Sequence, residues 1–103
     1  MGYEIDVVSV AGSGSDVDIL TPTSGKKYAI KSVRISNNSG SSATCNLRVK
    51  DGGTAVTIES GTIANGNIGE LLDKTLFNND QYNIIVNSTQ NVTAIINYIE
   101  YDA

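Results

Sequence analysis

The sequence predicts an all-β chain, a single-domain antiparallel β-sandwich of jelly-roll or immunoglobulin-like type with about eight short strands. Three observations predict it. Apolar and polar residues alternate in short runs, clusters of Gly, Asn, Ser, Asp and Pro separate the runs, and the 3.6-residue period of an amphipathic helix is nearly absent. The turn signals recur about every 8–12 residues, the spacing of sandwich strands. A chain of 103 residues has material for one modest core, and no linker divides it, so one domain spans 1–103.

The first strand covers 2–10. Tyr3, Ile5 and Val7 alternate with Glu4 and Asp6, then Val8 and Val10 change phase, which predicts a bulge near Val7-Val8. This strand can also serve as an intersubunit arm. Gly12-Ser13-Gly14-Ser15 is a flexible connection, and Asp16 to Leu20 is a short strand stopped by Thr21-Pro22-Thr23-Ser24-Gly25. Tyr28 to Ser36 is a longer strand whose apolar phase slips once, between Ile30 and the pair Val33 and Ile35. After the turn at 37–41, Ala43, Cys45, Leu47 and Val49 alternate with Thr44, Asn46, Arg48 and Lys50, which gives one dry and one wet face. Asp51-Gly52-Gly53 is a hairpin turn because glycine reaches positive φ without a steric penalty. Thr54 to Glu59 follows, with Val56 and Ile58 in one phase, then Ile63 and a turn at Asn65-Gly66-Asn67. Ile68 to Phe77 reads as strand and loop, because Gly69 and the flanking turns leave too few residues for a stable helix. Beyond the turn at 78–80, Gln81 to Asn87 puts Tyr82, Ile84 and Val86 on one face. The last strand, Val92 to Tyr101, sets Ile95 and Ile99 against Ala94, Ile96 and Tyr98. Both of its faces are apolar, so both are expected to be covered, one of them by another subunit.

The residues available for chemistry are few. The chain has no His, which removes Ser-His-Asp and Cys-His catalysis and histidine-based zinc sites. Asp16 with Asp18, and Glu70 with Asp73, are the carboxylate pairs that a glycosidase or a calcium site would need. The first pair sits in phase beside a Gly-Ser turn and reads as a solvated edge, and the second reads as surface charge. Gly12 to Ser15 lacks the Lys-Ser/Thr of a phosphate loop and no helix follows it. Cys45 is the single cysteine and falls at a core phase, so neither a disulfide nor a reactive thiol is expected. The expectation is a chain without enzymatic activity and without cofactor or metal.

Charge points the same way. Seven basic residues against eleven acidic give a net −4, and the basic ones form no stripe that would neutralise a run of phosphates, so no nucleic-acid partner is expected. No run approaches the roughly 18 apolar residues of a membrane helix. The first residues, MGYEIDVV, have neither the basic start nor the apolar run of a signal peptide. Asn-x-Ser/Thr matches beginning at Asn37, Asn87 and Asn91 read as chance in a chain rich in those residues. Tyr3, Tyr28, Tyr82, Tyr98 and Tyr101 are five of the six aromatics; most fall in strand-inward phases and read as core or core edge, and Tyr101 is the foremost interface residue among them.

The stretch Leu20 to Gly40, LTPTSGKKYAIKSVRISNNSG, resembles a pattern of small β-sandwich structural proteins of tailed-phage virions. The resemblance is carried by Thr21, Pro22, Gly25 and Lys26 in a turn, by Ala29-Ile30-Lys31-Ser32-Val33-Arg34-Ile35 in the strand that follows, and by Asn37, Ser39 and Gly40. Looser similarity continues to Glu100. Leu76 to Tyr82 stands where a Leu-x-x-Gly-Asp turn is usual, with Asn79 in place of the glycine, a position asparagine tolerates because it visits the left-handed region.

The resemblance implies a virion component assembled in the host cytoplasm: a capsid decoration or cement protein, or a head-fibre or tail accessory domain. The implied partners are the major capsid protein or other virion subunits, and further copies of the chain in a symmetric homo-oligomer, with a trimer favoured. The alternative is a carbohydrate- or receptor-binding sandwich module on a tail or fibre, which would show clustered exposed tyrosines. The expected interface residues lie in the first and last strands: Tyr3, Ile5, Val7, Ile99 and Tyr101.

Overall fold

Nine strands make two antiparallel sheets in the computed structural model, which describes residues 3–102. They are β1 (Tyr3–Val10), β2 (Val17–Leu20), β3 (Lys26–Asn37), β4 (Ala43–Lys50), β5 (Val56–Ile63), β6 (Asn67–Leu72), β7 (Leu76–Asn78), β8 (Asn83–Ser88) and β9 (Val92–Asp102). One sheet runs β1-β9-β3-β6 and the other β2-β8-β4-β5. β7 continues the β6 edge along β3, so residues 67–78 form one edge strand broken at 73–75. Apart from the β4–β5 hairpin, successive strands cross between the sheets. That order is a jelly roll, which decides between the two sandwich types the sequence allows.

Between the sheets, alternate residues of both inner faces interdigitate. Val10, Ile30, Val33, Ile35, Cys45, Leu47, Ile84, Val86 and Ile96 are essentially solvent-free members of one continuous core. Each large aliphatic side chain so buried stabilises the fold by about 1.5–3 kcal/mol. Tyr28 and Tyr98 meet in this core with ring centroids 5.9 Å apart and planes tilted by 54°. Their hydroxyls reach polar partners at the rim: Tyr98 donates to Asp6 at 3.0 Å, and Tyr28 accepts from the Thr23 amide at 2.8 Å. Both tyrosines therefore hold the core to its edges.

The turns at either end of β3 are pinned by buried or carboxylate side chains. Asn37 is fully buried; its amide donates to the Ser41 and Ile63 carbonyls, each at 2.8 Å, and accepts from the Ser39 amide at 3.0 Å. Gly40 takes φ +98, where a Cβ would be strained. At the other end Gly25, at φ +83, donates its amide to the Asp80 carboxylate at 2.7 Å. These motif residues build loops, and Asn37, sealed in the core, is no glycosylation site in the folded chain.

The structure corrects the sequence reading in three places. β1 has no bulge: its register with β9 is unbroken from Tyr3↔Ile99 to Val10↔Val92. Val8 and Val10 face inward with Asp6, while Ile5 and Val7 face outward and are exposed, so apolar residues on both faces imitate a change of phase. β1 is also an integral edge strand from Tyr3 onward, with Val10 in the core; Gly2 lies outside the described residues. β5 runs to Ile63, with its irregularity opposite Leu47 and Arg48 and with Val56 and Ile58 exposed. The left-handed residue of the 78–80 turn is Asp80, at φ 62, rather than Asn79. The slip expected in β3 does occur, between Ile30 and Ser32 in the pairing with β9.

Candidate interaction surface

The outer face of the β1-β9-β3-β6 sheet follows directly from its register. Val7, Ile95, Arg34 and Glu70 form one row across four strands. Ile5, Asn97 and Ser32 form the next, and Ile99, Ala29 and Phe77 a third that includes the backbone of Tyr3. Tyr101 and Lys27 close the series. Of the expected interface residues, Ile5, Val7, Ile99 and Tyr101 thus share one face; the Tyr3 side chain lies outside the described part. Val7 is 66% exposed, Ile5 61% and Phe77 69%, values that mark an apolar surface with no cover from its own chain.

Ile95, Phe77 and Asn97 complete this surface and were not among the residues the sequence singled out. The double-sided apolar pattern of β9 was a signal for Ile95. Phe77 gave none, because it sits in a three-residue strand between turns. Two polar atoms on this face, Arg34 Nε and Asn97 Oδ1, are buried without a hydrogen-bond partner. Asn97 has Ile5 and Ser32 opposite it on the two neighbouring strands and Ile95 and Ile99 two residues away on its own strand.

The chain matches no protein-family model and no curated protein sequence.

The outer face of the β2-β8-β4-β5 sheet is unlike the first. Arg48 donates to both Asp16 carboxylate oxygens at 2.8 and 2.9 Å, to Thr57 Oγ1 at 3.1 Å and to the Ala55 carbonyl at 3.0 Å. Asn87 donates to Asp16 at 3.0 Å, Asn46 donates to Asn87 at 2.8 Å, and Ser60 donates to Asn46. The ladder runs from β5 through β4 and β8 to Asp16, at the start of β2. Partial burial opposes ionisation of Asp16, but the hydrogen bonds from Asn87 and Arg48 outweigh it and hold the carboxyl below its usual 3.8.

The remaining chemistry candidates are dispersed. Asp16 is tied to Arg48, Asp18 accepts from Asn83 at 3.3 Å, and Glu70 and Asp73 stand on the far sheet edge. No group of three or more His, Cys, Asp or Glu that could hold a metal occurs among the described residues. Cys45 is buried beside Ser88, and its burial pushes the thiol above its usual pKa, the opposite of activation. Tyr98 is likewise pushed well above 10, by burial first and then by its hydrogen bond to Asp6. A groove of about 680 Å³ is lined by Ser9, Ser36, Asn38, Ser39, Asn91 and Thr93 with flanking apolar residues, and brings no acid–base pair together.

Proposed function

We propose that this chain is a structural subunit of a phage virion, a capsid decoration protein that stabilises the major capsid lattice. One observation carries the reading: the β1–β9 side of the first sheet presents a band of outward isoleucine and valine on strands paired in unbroken register. Burying such a band against a neighbouring subunit removes apolar surface from water at about 25 cal/mol per Å², and a preformed sheet loses little conformational entropy on docking. Repetition on a lattice multiplies a modest contact through avidity. The partners are the major capsid protein or other virion subunits, together with further copies of the chain in a homo-oligomer. The resemblance over Leu20 to Gly40 adds the virion context.

The glycan-binding alternative asks for exposed, clustered tyrosines. Tyr28 and Tyr98 are core residues and Tyr82 lines an apolar notch with Ile58 and Phe77, so no observation favours that reading over the first.

Mass spectrometry of purified virions from the genome that encodes the chain tests the proposal. The expected result is the protein in a copy number that tracks the capsomers. Its absence from the particle overturns the proposal, and a copy number matching the tail fibres moves it to the tail.

A further inference from the structure

We infer that Asn65 is a site of spontaneous covalent modification, deamidation through a succinimide, and that the native fold holds the reaction off by clamping the 64–67 turn. Asn65-Gly66 is the one Asn-Gly pair in the sequence. Glycine after asparagine favours the reaction, because a residue without a Cβ lets its amide nitrogen approach the preceding side chain. That nitrogen attacks Cγ of Asn65. The N–Cγ bond forms, the Gly66 amide proton passes to water or hydroxide, and the side-chain nitrogen leaves as ammonia. Water then opens the five-membered imide at either carbonyl, giving aspartate or isoaspartate at position 65. The reaction consumes only water, and either product adds one negative charge.

Three features of the folded chain oppose the first step. The Asn67 amide donates to the Ala64 carbonyl at 3.1 Å, and Gly66 takes φ +82 while Asn65 does not take a positive φ, which together make a type II turn. The first central residue of such a turn has ψ of about +120°, which directs the Gly66 nitrogen away from the Asn65 side chain. That nitrogen also donates to the Asn37 carbonyl at 2.7 Å. Asn65 Oδ1 accepts from the Gly40 amide at 2.9 Å, which holds the side chain toward the 37–41 turn. Ring closure needs the 65–66 peptide turned over, and that breaks both the Gly66 bond and the bond that closes the turn. Losing two hydrogen bonds keeps the reactive conformer below about a tenth of the population. Asn65 is itself exposed, so the clamp protects it and not exclusion of water.

Asn37 ties the clamp to the core. Its buried carboxamide donates to the Ser41 and Ile63 carbonyls, so one side chain steadies both turns that grip Asn65. Isoaspartate adds an atom to the main chain between β5 and β6, which alters the spacing that lets the Gly66–Asn37 and Gly40–Asn65 bonds form together. Modification therefore weakens the arrangement that had prevented it.

Peptide mapping by mass spectrometry tests this on the full chain incubated in alkaline buffer, folded and in guanidinium chloride that unfolds it. In the unfolded chain Asn65 exchanges amide for acid before any other asparagine. In the folded chain its rate is at least about tenfold lower. Asn37→Ala raises the folded-state rate several-fold, whereas Ile96→Ala, a core change that leaves both turns in place, raises it less. Hydrogen exchange of wild type gives a reading that does not depend on either variant folding: the Gly66 amide is protected like a strand amide. Equal rates in the folded and unfolded chains, earlier modification of another asparagine in the unfolded chain, or Asn37→Ala no faster than Ile96→Ala overturns the inference. So does a Gly66 amide that exchanges like an open loop.

Discussion

On the β2-β8-β4-β5 sheet the outward polar side chains are bonded to one another; on the β1–β9 side of the other sheet the outward side chains are mostly apolar, and two polar atoms on that sheet's outer face have no partner. Both faces arise from the same alternation along strands of the same jelly roll, so the difference lies entirely in the outward residues. A face whose donors and acceptors are already paired gains little from a protein neighbour. A face of exposed isoleucine and valine gains by being covered. The fold supplies two platforms, and side-chain chemistry suits one of them to contact.

Substitutions either side of the sheets test this contrast, beginning with the largest effect. Ile96→Ala, on the inner side of β9, should destabilise the fold by about 2–5 kcal/mol in urea unfolding, because it leaves a cavity in a fully packed core. Val7→Ala, on the outer side of β1, should stay within about 0.5 kcal/mol. Equal losses would mean that Val7 is covered by its own chain. Asn37→Ala should cost about 2–3 kcal/mol, since it strips the buried Ile63 carbonyl of its donor and frees the 37–41 turn.

The paired face gives a smaller and pH-dependent effect. Asp16→Asn should lower stability by about 0.5–1 kcal/mol at pH 7, the range of a partly exposed ion pair. The Asp16 pKa is depressed in the folded state, so its contribution is present above the ordinary value of 3.8 and is lost as pH falls through the folded value. The gap between wild type and variant should close below pH 3.8. A gap that persists in acid would show that the amide fails for a steric reason instead.

Much of this architecture was legible in the sequence. Alternation in Ala43 to Lys50 gave β4 its correct faces, and the slip after Ile30 marked the irregularity in β3. β1 was misread for an instructive reason. Alternation identifies faces only when one of them is wet, and Ile5 and Val7 leave β1 apolar on both, so the outward residues passed for a bulge. The stretch where the pattern fails is the stretch that forms the exposed patch. The Asp16–Arg48 ladder was hidden for another reason: its members are 32 residues apart, and only the crossover topology sets β8 between β4 and β2 so that Arg48 reaches Asp16. Asp80 shows a third limit, since which of two adjacent turn residues takes positive φ depends on the carboxylate's bond to Gly25 across the chain.

Hydroxyl-radical footprinting of the free protein against the protein in the assembled particle tests the contact face most directly. Ile5 and Val7 should lose most of their reactivity on assembly, while Val56, comparably exposed on the β5 edge of the other sheet, should keep its own. Unchanged labelling of Ile5 and Val7, or protection confined to β5, would contradict the account.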